Sequence, residues 1–433
     1  MSWRRKVAVV GSGISGLSTA WLLAEQADVT LFEAGSYFGG HTHTVDVTLE
    51  GITHGVDTGF LVFNERTYPQ LIALFAELQV DTVASEMSFS VQHPAAALEW
   101  SGSDLNSVFA QRRNLVRPGF WRMLADLLRF NRLCTELAVG NEEARLAQPI
   151  ADFLREQRFG AEFREWYLLP MVACIWSCPT AQMLQFPIAT LIRFCHNHGL
   201  LQVANRPQWF TVRGGARHYV DKMLARLPDA RLNTPVRQLR RTATGVDLGT
   251  DQGSEHFDEV VLACHSDQAL GLLSDASAAE QRLLGAIGYH RNRAVLHTDT
   301  RLLPQRQRAW AAWNYENAGG EQERSAVCLH YLINRLQPVP WRQPVVVSLN
   351  PVREPATATV LGEFDYAHPV FDRAAIAAQQ RLSEIQGKAH TWYCGAWTRY
   401  GFHEDGLMSG QAVAQALLQR WAQTDERLKD VAA

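Results

Sequence analysis

Three glycines and one acidic residue near the start of the chain have the spacing of a dinucleotide site. Gly11, Gly13 and Gly16 follow an apolar run at residues 7–10, and Glu33 stands at about the 20-residue distance that ribose recognition requires. Gly11 permits a tight turn, Gly13 lets the backbone approach a pyrophosphate, and Gly16 lets a helix pack closely. A carboxylate at Glu33 accepts hydrogen bonds from ribose hydroxyls. The pattern predicts a bound dinucleotide, NAD or FAD.

Buried strands and one helix must position these residues. Small apolar side chains at residues 7–10 are typical of a central parallel strand, and residues 29–32 predict a second strand that ends at Glu33. A helix starting at Ile14 directs its free N–H groups and positive dipole end at the phosphates. Ser15 adds a hydroxyl donor. These elements together predict a Rossmann-type unit.

Further along, the pattern predicts that this unit is discontinuous. Residues 104–198 are helical and aromatic, strand-like character returns at 256–263 and 390–394, and a helix is predicted over 407–421. We therefore predict an α/β fold, α+β overall. Its cofactor domain comprises residues 1–70, 208–285 and 388–433. Its substrate domain comprises residues 71–207 and 286–387, a mixed or antiparallel sheet with a helical insertion at about 104–198.

Composition excludes several classes of protein. The 433 residues carry a net charge of −3, so no basic field for nucleic acid is present. No apolar run reaches the roughly 20 residues that span a bilayer, and none of signal-peptide length precedes the first strand, which predicts a cytoplasmic protein. Cys174 and Cys178 have helical spacing rather than that of a metal knuckle, so we expect no metal.

Three further motifs carry a resemblance to a known family. Gly39-Gly40 follows Glu33, Asp57-Thr58-Gly59 follows a predicted hairpin, and the chain reads Glu-Asp-Gly-Leu-Met-Ser-Gly at residues 404–410. Together they resemble the flavin-containing amine oxidase superfamily. The phrases Gly-Gly-His-Thr-His-Thr-Val and Ala-Cys-Ile-Trp-Ser-Cys-Pro are similar to one branch, the bacterial predicted NAD/FAD-binding oxidoreductases and the flavin domain fused to plant cyclopropane fatty acid synthases.

The resemblance implies FAD as the cofactor and an amine-oxidase-like fold. It also implies a helix from Leu407 whose N-terminus faces the flavin, with backbone N–H groups of Leu407 and Met408 as donors, and a backbone contact of Val236 with adenine. The predicted cofactor-binding residues are Gly11, Gly13, Ile14, Ser15, Gly16, Glu33, Ala34, Gly39, Gly40, His41, Thr42, Gly59, Phe60, Val236, Gly395, Gly406, Leu407 and Met408.

Catalytic residues are less well defined than the cofactor site. The superfamily usually places a lysine near flavin N5, but this chain has no lysine between Lys222 and Lys388, which disfavours simple amine oxidation. His41 stands where the superfamily more often has arginine, and we expect it to contact the cofactor rather than to be an incidental surface histidine. His403 and Glu404 are candidate proton carriers. The alternative is that the acidic residues there only cap the last helix.

Between residues 110 and 133 the chain gathers six arginines with three aromatic residues. Such a stretch can lie on an anionic membrane surface, although an ordinary amphipathic helix has the same composition. We expect an oxidoreductase that transfers hydride between the flavin and a largely hydrophobic substrate, a lipid acyl chain first. The alternatives are an amine or amino acid oxidase that produces hydrogen peroxide, and a non-catalytic flavin-stabilised partner of a lipid-modifying methyltransferase. Peripheral contact with the inner face of the membrane would suit the first.

Overall fold

The computed structural model describes residues 4–140, 146, 148–177, 179–202, 206–317, 319 and 327–432. The strands, in chain order, are β1 (Arg5–Val10), β2 (Ala27–Phe32), β3 (Thr44–Leu49), β4 (Ile52–Asp57), β5 (Phe63–Asn64), β6 (Thr82–Ser85), β7 (Phe89–His93), β8 (Leu98–Ser101), β9 (Trp209–Val212), β10 (Asp229–Arg231), β11 (Val236–Arg241), β12 (Val246–Thr250), β13 (Gly253–Phe257), β14 (Glu259–Leu262), β15 (Gly288–His297), β16 (Trp313–Glu316), β17 (Cys328–Leu332), β18 (Val346–Leu349), β19 (Val360–Val370) and β20 (Thr391–Tyr393).

Three helices receive names here because the site depends on them: the glycine-loop helix (Ile14–Leu23), the arginine-rich helix (Pro118–Val139) and the C-terminal helix (His403–Ala432). The other α-helices are Pro69–Glu77, Leu105–Val108, Ile150–Glu156, Ala161–Phe163, Leu169–Trp176, Thr180–Met183, Ile188–Asn197, Arg217–Leu224, Ser266–Leu272, Ala278–Leu284, Ile333–Leu336 and Arg373–Gln379, with a π-helical turn at Arg164–Leu168. Single 3₁₀ turns lie at Pro94–Ala96, Arg112–Val116, Thr300–Leu302, Gln307–Ala309, Thr357–Thr359, Leu382–Glu384 and Ala396–Thr398.

A five-stranded parallel sheet contains β1, the strand that precedes the three spaced glycines. Its order is β10-β2-β1-β14-β20, so strands from the beginning, middle and end of the chain lie side by side. Val7, Ala8 and Val9 in β1 are fully buried because both faces of a parallel sheet are covered. The predicted α/β class is confirmed. The predicted strand at 256–263 divides at Asp258, and its two parts enter different sheets.

A seven-stranded mixed sheet builds the second half of the molecule. Its order is β19-β15-β18-β17-β16-β7-β8, with β16 and β7 parallel and the other neighbours antiparallel. A smaller sheet, β5-β9-β6, joins strands from both sides of the boundary predicted at residue 70. The division into a cofactor domain and a substrate domain stays a prediction.

Helices cover the second half, as expected for residues 104–198. The arginine-rich helix buries Phe120, Met123, Phe130 and Cys134 and exposes its opposite face. Cys174 is buried in the helix Leu169–Trp176, while Cys178 lies outside the described residues. Among the described residues, none of the helices combines the length and apolar character needed to cross a bilayer.

Candidate functional site

The glycine loop between β1 and the glycine-loop helix has the geometry that its sequence predicts. Gly11 has φ +104°, a conformation that favours glycine, and its N–H donates to the Phe32 carbonyl oxygen at 2.8 Å. A Cβ on Gly16 would lie 1.9 Å from the Gly11 carbonyl oxygen, so only glycine lets the helix pack here. A Cβ on Gly13 would meet nothing within 4 Å, because this residue faces the open cavity.

The N-terminus of the glycine-loop helix is prepared for an anion. The first intrahelical bond runs from the Leu17 N–H to the Gly13 carbonyl oxygen at 2.9 Å, which leaves the N–H groups of Ile14, Ser15 and Gly16 ahead of it. No side chain caps this end, and no acidic residue lies in the first turn. Ile14 and Ser15 line the cavity. A diphosphate fits this end, because exposed N–H groups and the helix dipole favour negative charge.

Glu33 ends β2 at the wall of the same cavity. Its carboxylate accepts hydrogen bonds from the Ser12 N–H at 3.0 Å, the Ser12 hydroxyl at 2.5 Å and the Gly35 N–H at 2.7 Å. The Ser12 hydroxyl oxygen in turn accepts from the Gly39 N–H at 3.0 Å, which ties Gly39-Gly40 to the glycine loop. These bonds fix the carboxylate at the cavity wall, and its contact with a ribose diol stays a prediction.

His41 follows Gly40 and presents an unsatisfied nitrogen to the cavity wall. Its buried Nε2 has no hydrogen-bond partner among the described residues. Burial, with the nearby His265, lowers the pKa of His41 to about 4. The rings of Tyr366 and His368 lie 5.2 and 5.1 Å away, and burial lowers the pKa of His368 to about 3. A neutral ring with a free nitrogen fits a cofactor contact. That contact stays a prediction.

The C-terminal helix begins at His403, so the predicted start at Leu407 was wrong. The Asp405 carboxylate accepts the Phe402 N–H at 3.0 Å and caps the first turn, so the helix begins four residues before the predicted start. The Gly406 N–H donates to the Phe402 carbonyl oxygen at 3.1 Å. The free N–H groups that face the cavity end of this helix therefore belong to its first residues rather than to Leu407 and Met408.

Gly406 and Gly410 serve close helix packing. A Cβ on Gly406 would lie 2.8 Å from Ile14 Cγ2, and one on Gly410 would lie 2.2 Å from the Ser15 carbonyl oxygen. The Thr19 hydroxyl donates to the Gly410 carbonyl oxygen at 3.0 Å across the same contact. Of the predicted cofactor residues, Gly16, Thr42, Gly406, Leu407 and Met408 do not line the cavity. The others do: Gly11, Gly13, Ile14, Ser15, Glu33, Ala34, Gly39, Gly40, His41, Gly59, Phe60, Val236 and Gly395.

The two candidate proton carriers have different surroundings. His403 lines the cavity, stacks on Phe60 with ring centroids 3.8 Å apart, and shares a 2.7 Å hydrogen bond with the Tyr219 hydroxyl. Burial lowers its pKa to about 3, so it is neutral near pH 7. Glu404 points elsewhere. Its carboxylate accepts the N–H groups of Gln70 and Leu71 at 2.8 and 3.0 Å and so caps the helix Pro69–Glu77.

A second part of the cavity extends away from the glycine loop between helices. The whole cavity is about 1320 Å³, which exceeds the roughly 300–1,000 Å³ of a pocket for one drug-sized ligand. Sequence reasoning missed this apolar extension because its residues come from many separate elements. Its lining includes Trp100, Leu105, Val108, Phe109, Trp121, Leu124, Leu127, Leu128, Tyr167, Met171, Ile175, Phe194, Leu200, Trp313 and Tyr331.

Among the described lining residues, the polar side chains of Asn131, Ser177, His198 and Arg206 interrupt this apolar wall. Asn131 lines the cavity at 8% exposure, and its Oδ1 has no partner among the described residues. No lysine is among the described residues that line the cavity. Water would be poorly held along the rest of this surface, which suits a hydrophobic ligand.

A group of metal-ligating side chains lies outside the cavity, in β16 and β17. Ligand atoms of Glu316, Cys328 and His330 lie within 4.8 Å of one another. The Glu316 carboxylate, however, is bound by His330 Nε2 at 3.1 Å and by the Arg353 guanidinium at 3.1 Å. A guanidinium at that distance opposes a divalent cation, and the buried Glu316 carboxylate is instead paired with the half-exposed Arg353.

Fold and cavity together define a protein that holds a dinucleotide cofactor beside an apolar chamber. A model of the flavin-containing amine oxidoreductases matches residues 14–336. The chain therefore belongs to the flavin-containing amine oxidoreductase family. It is a flavin-dependent oxidoreductase, and its cofactor is FAD.

Similar proteins differ in what they act on. The carotenoid phi-ring synthase of Streptomyces griseus is 29% identical over 283 residues, which cover 60% of this chain and 52% of that protein. The chain thus spans about half the length of this curated relative. The CLA-producing fatty acid isomerase of P. acnes has a similar fold, with a TM-score of 0.67 and 15% identity over 95% of this chain and 98% of that one. Putrescine oxidase has a TM-score of 0.65 and 15% identity over 96% and 99%.

Proposed function

We propose that this protein transfers hydride between the flavin and an extended hydrocarbon chain. The leading candidate for that substrate is a lipid acyl chain. The observation that carries the proposal is the apolar extension of the cofactor cavity, whose walls are mostly aliphatic and aromatic side chains. A substrate bound there would be desolvated over most of its length. Burial of apolar surface contributes about 25 cal/mol per Å², so a long chain gains affinity without polar contacts.

The relatives support a hydrophobic substrate. The relative from Streptomyces griseus is named for a carotenoid, and the structural neighbour from P. acnes is named for a fatty acid. Both compounds contain long hydrocarbon chains. The described cavity wall also contains no lysine, whereas the superfamily's amine oxidases usually have one near flavin N5. A bound flavin would supply the acceptor for a hydride from a substrate C–H bond, or the donor in the reverse direction.

This chain's own residues perform the remaining tasks. The N–H groups of Ile14 and Ser15 and the Glu33 carboxylate would hold the dinucleotide. The apolar wall would position the chain and exclude water from the reacting carbon. His403 is neutral and held by Phe60 and Tyr219, so its role would be to position a neighbour through a hydrogen bond rather than to carry charge.

Anaerobic flavin absorbance tests the proposal. Oxidised holoprotein is mixed with micellar phospholipids and free fatty acids, and chemically reduced holoprotein is mixed with polyunsaturated chains. We expect bleaching in the first case or reoxidation in the second. A narrowing variant, Ile175→Trp, should block either reaction and leave flavin content unchanged. If amines bleach the flavin and no acyl chain reacts in either direction, the proposal is wrong.

Amine oxidation is the second candidate, because the matching family model is that of amine oxidoreductases. Its assay is steady hydrogen peroxide production with a panel of amines and amino acids under air. Peroxide release with any amine at rates above the acyl-chain reaction would favour this function. The Ile175→Trp variant separates the two candidates, since a small amine would still reach the cofactor.

A further inference from the structure

Five large apolar side chains between residues 105 and 128 are exposed to solvent. They are Leu105, Leu115, Val116, Trp121 and Leu128, with exposures of 79, 47, 83, 50 and 59%. We call these five residues the mouth patch. Single exposed apolar residues are ordinary on protein surfaces, whereas a group of this kind marks an interaction site.

The mouth patch surrounds the opening of the apolar cavity. Leu105, Trp121 and Leu128 are exposed to solvent and also line the cavity, so the cavity reaches the surface between them. The Trp121 indole N–H donates to the Leu115 carbonyl oxygen at 2.9 Å, which joins the 3₁₀ turn to the arginine-rich helix. The patch is thus continuous with the proposed substrate chamber.

Positive charge accompanies the mouth patch. Residues 105–132 contain six arginines and one acidic residue, although the whole chain has a net charge of −3. Arg112, Arg113 and Arg117 donate to neutral oxygen atoms of Phe109, Ala97 and Ala96, so these bonds leave their positive charge uncancelled. Two others form ion pairs, Arg122 with Glu162 and Arg129 with Asp126.

We infer that the mouth patch docks on an anionic lipid bilayer, with its apolar side chains inserted at the interface and the cavity open toward the acyl chains. This inference rests on the proposed function. Arginines beside inserted Leu, Val and Trp side chains are the composition that binds anionic membranes. A second copy of the chain would bring the arginines of this face that lack a carboxylate partner against their equivalents, which opposes self-association through this face.

Vesicle sedimentation tests the docking. Holoprotein is spun with vesicles of phosphatidylglycerol and phosphatidylcholine, and with phosphatidylcholine alone. We expect binding to the anionic vesicles that falls steeply as sodium chloride is raised, because salt screens the arginines. The double variant Leu115→Ser/Val116→Ser should lower the partition coefficient about tenfold or more. Neither Leu115 nor Val116 lines the cavity, so the flavin content of the double variant and its activity on micellar substrate should stay at wild-type levels.

A matched double variant controls for lost surface hydrophobicity. Ile52 and Leu361 are exposed apolar residues of β4 and β19, and Ile52→Ser/Leu361→Ser should bind vesicles as the wild type does. Wild-type protein that stays in the supernatant with anionic vesicles at low salt would overturn the docking. A concentration-dependent dimer that Leu115→Ser/Val116→Ser abolishes would also overturn the docking. Failure of the docking with activity retained on micellar lipid would leave the proposed function standing, and the converse result would refute only the function.

Discussion

At the scale of single residues, the same amino acid has different tasks at neighbouring positions of the glycine loop. Gly13 has φ −61° and ψ 172°, a conformation open to any residue, and a side chain there would enter the cavity. Gly16 has no such space, because its Cβ would collide with the Gly11 carbonyl oxygen. Gly13 therefore serves the ligand, and Gly16 serves the fold.

Two substitutions separate these tasks. Gly13→Val should leave the urea unfolding midpoint of the apoprotein within error of wild type, yet the purified protein should contain little flavin, because the valine occupies the phosphate position. Gly16→Ala should lower the free energy of unfolding by about 1–3 kcal/mol through overpacking. Flavin absorbance per chain and urea unfolding measure both effects. Stoichiometric flavin in Gly13→Val would refute the ligand task of this glycine.

Glu404 illustrates a residue whose role the sequence left open between catalysis and capping. Pro69 has no N–H, and the next two N–H groups of its helix, on Gln70 and Leu71, both donate to the Glu404 carboxylate. Glu404→Ala should lower the free energy of unfolding by about 1–3 kcal/mol, since two buried donors lose their acceptor. Glu404→Gln, which keeps one acceptor oxygen, should lose less.

Stopped-flow flavin reduction distinguishes capping from catalysis in the same variants. A cap leaves the rate of the chemical step and its pH profile unchanged in Glu404→Gln. A fall of about tenfold or more in that rate, with stability near wild type, would instead restore Glu404 as a proton carrier.

At the scale of elements, sequence reasoning located the parallel sheet better than the helix ends. Apolar strands and the glycine triplet are local signals, so β1, β2 and β20 were placed correctly, whereas the strand predicted at 256–263 divides between β13 and β14. The start of the C-terminal helix depends on a bond between Asp405 and Phe402, and nothing in the local pattern distinguishes that start from Leu407. The apolar chamber was not predictable, since its walls meet only in the folded chain.

The contact between the C-terminal helix and the glycine-loop helix can be tested at Gly410. Gly410→Ala places a Cβ 2.2 Å from the Ser15 carbonyl oxygen, which is far inside van der Waals contact. The two helices must therefore separate. We expect a lower melting temperature and weaker flavin retention, because the glycine-loop helix, whose N-terminus we predict to face the phosphates, would be displaced.

Gly271→Ala is the matched control for that substitution. Gly271 lies in the helix Ser266–Leu272 with nothing within 4 Å of the new methyl group. Alanine there should raise the free energy of unfolding by about 0.5–1 kcal/mol, the ordinary gain for glycine in a helix. Equal destabilisation by both variants would contradict the packing task of Gly410.

At the scale of the whole molecule, burial of neutral histidines controls how stability depends on pH. Their pKa values in the folded state lie well below the ordinary value of 6.5, chiefly because burial disfavours the charged ring. Those lowered to about 4 are His41, His198 and His297, and those lowered to about 3 are His368 and His403. Two carboxyls oppose them, since burial raises the pKa of Asp57 and of Asp405 to about 6.

The sign of the net effect follows from counting protons. Between pH 6 and pH 4 the five histidines bind protons in the unfolded chain but stay largely neutral in the folded state. Asp57 and Asp405, in contrast, bind protons in the folded state at pH values where they are ionised in the unfolded chain. Because the unfolded histidines take up more protons than the folded carboxyls, acidification through this range lowers the free energy of unfolding. We therefore expect the apoprotein to be stable near pH 7 and to unfold as the pH falls from 6.5 toward 4.

His297 tests this account in isolation. It is fully buried, its Nδ1 accepts the Asp299 N–H at 3.0 Å, and its Nε2 bonds the Ser348 hydroxyl at 2.7 Å, so protonation of the ring would break the bond at Nδ1. In His297→Gln, an amide can make both bonds without titrating, and the acid slope should fall by about 1.4 kcal/mol per pH unit. Urea unfolding at intervals between pH 4.5 and 7.5, with the exposed His256→Gln as control, measures that slope. A slope unchanged in His297→Gln would mean that protonation of His297 does not contribute to acid unfolding.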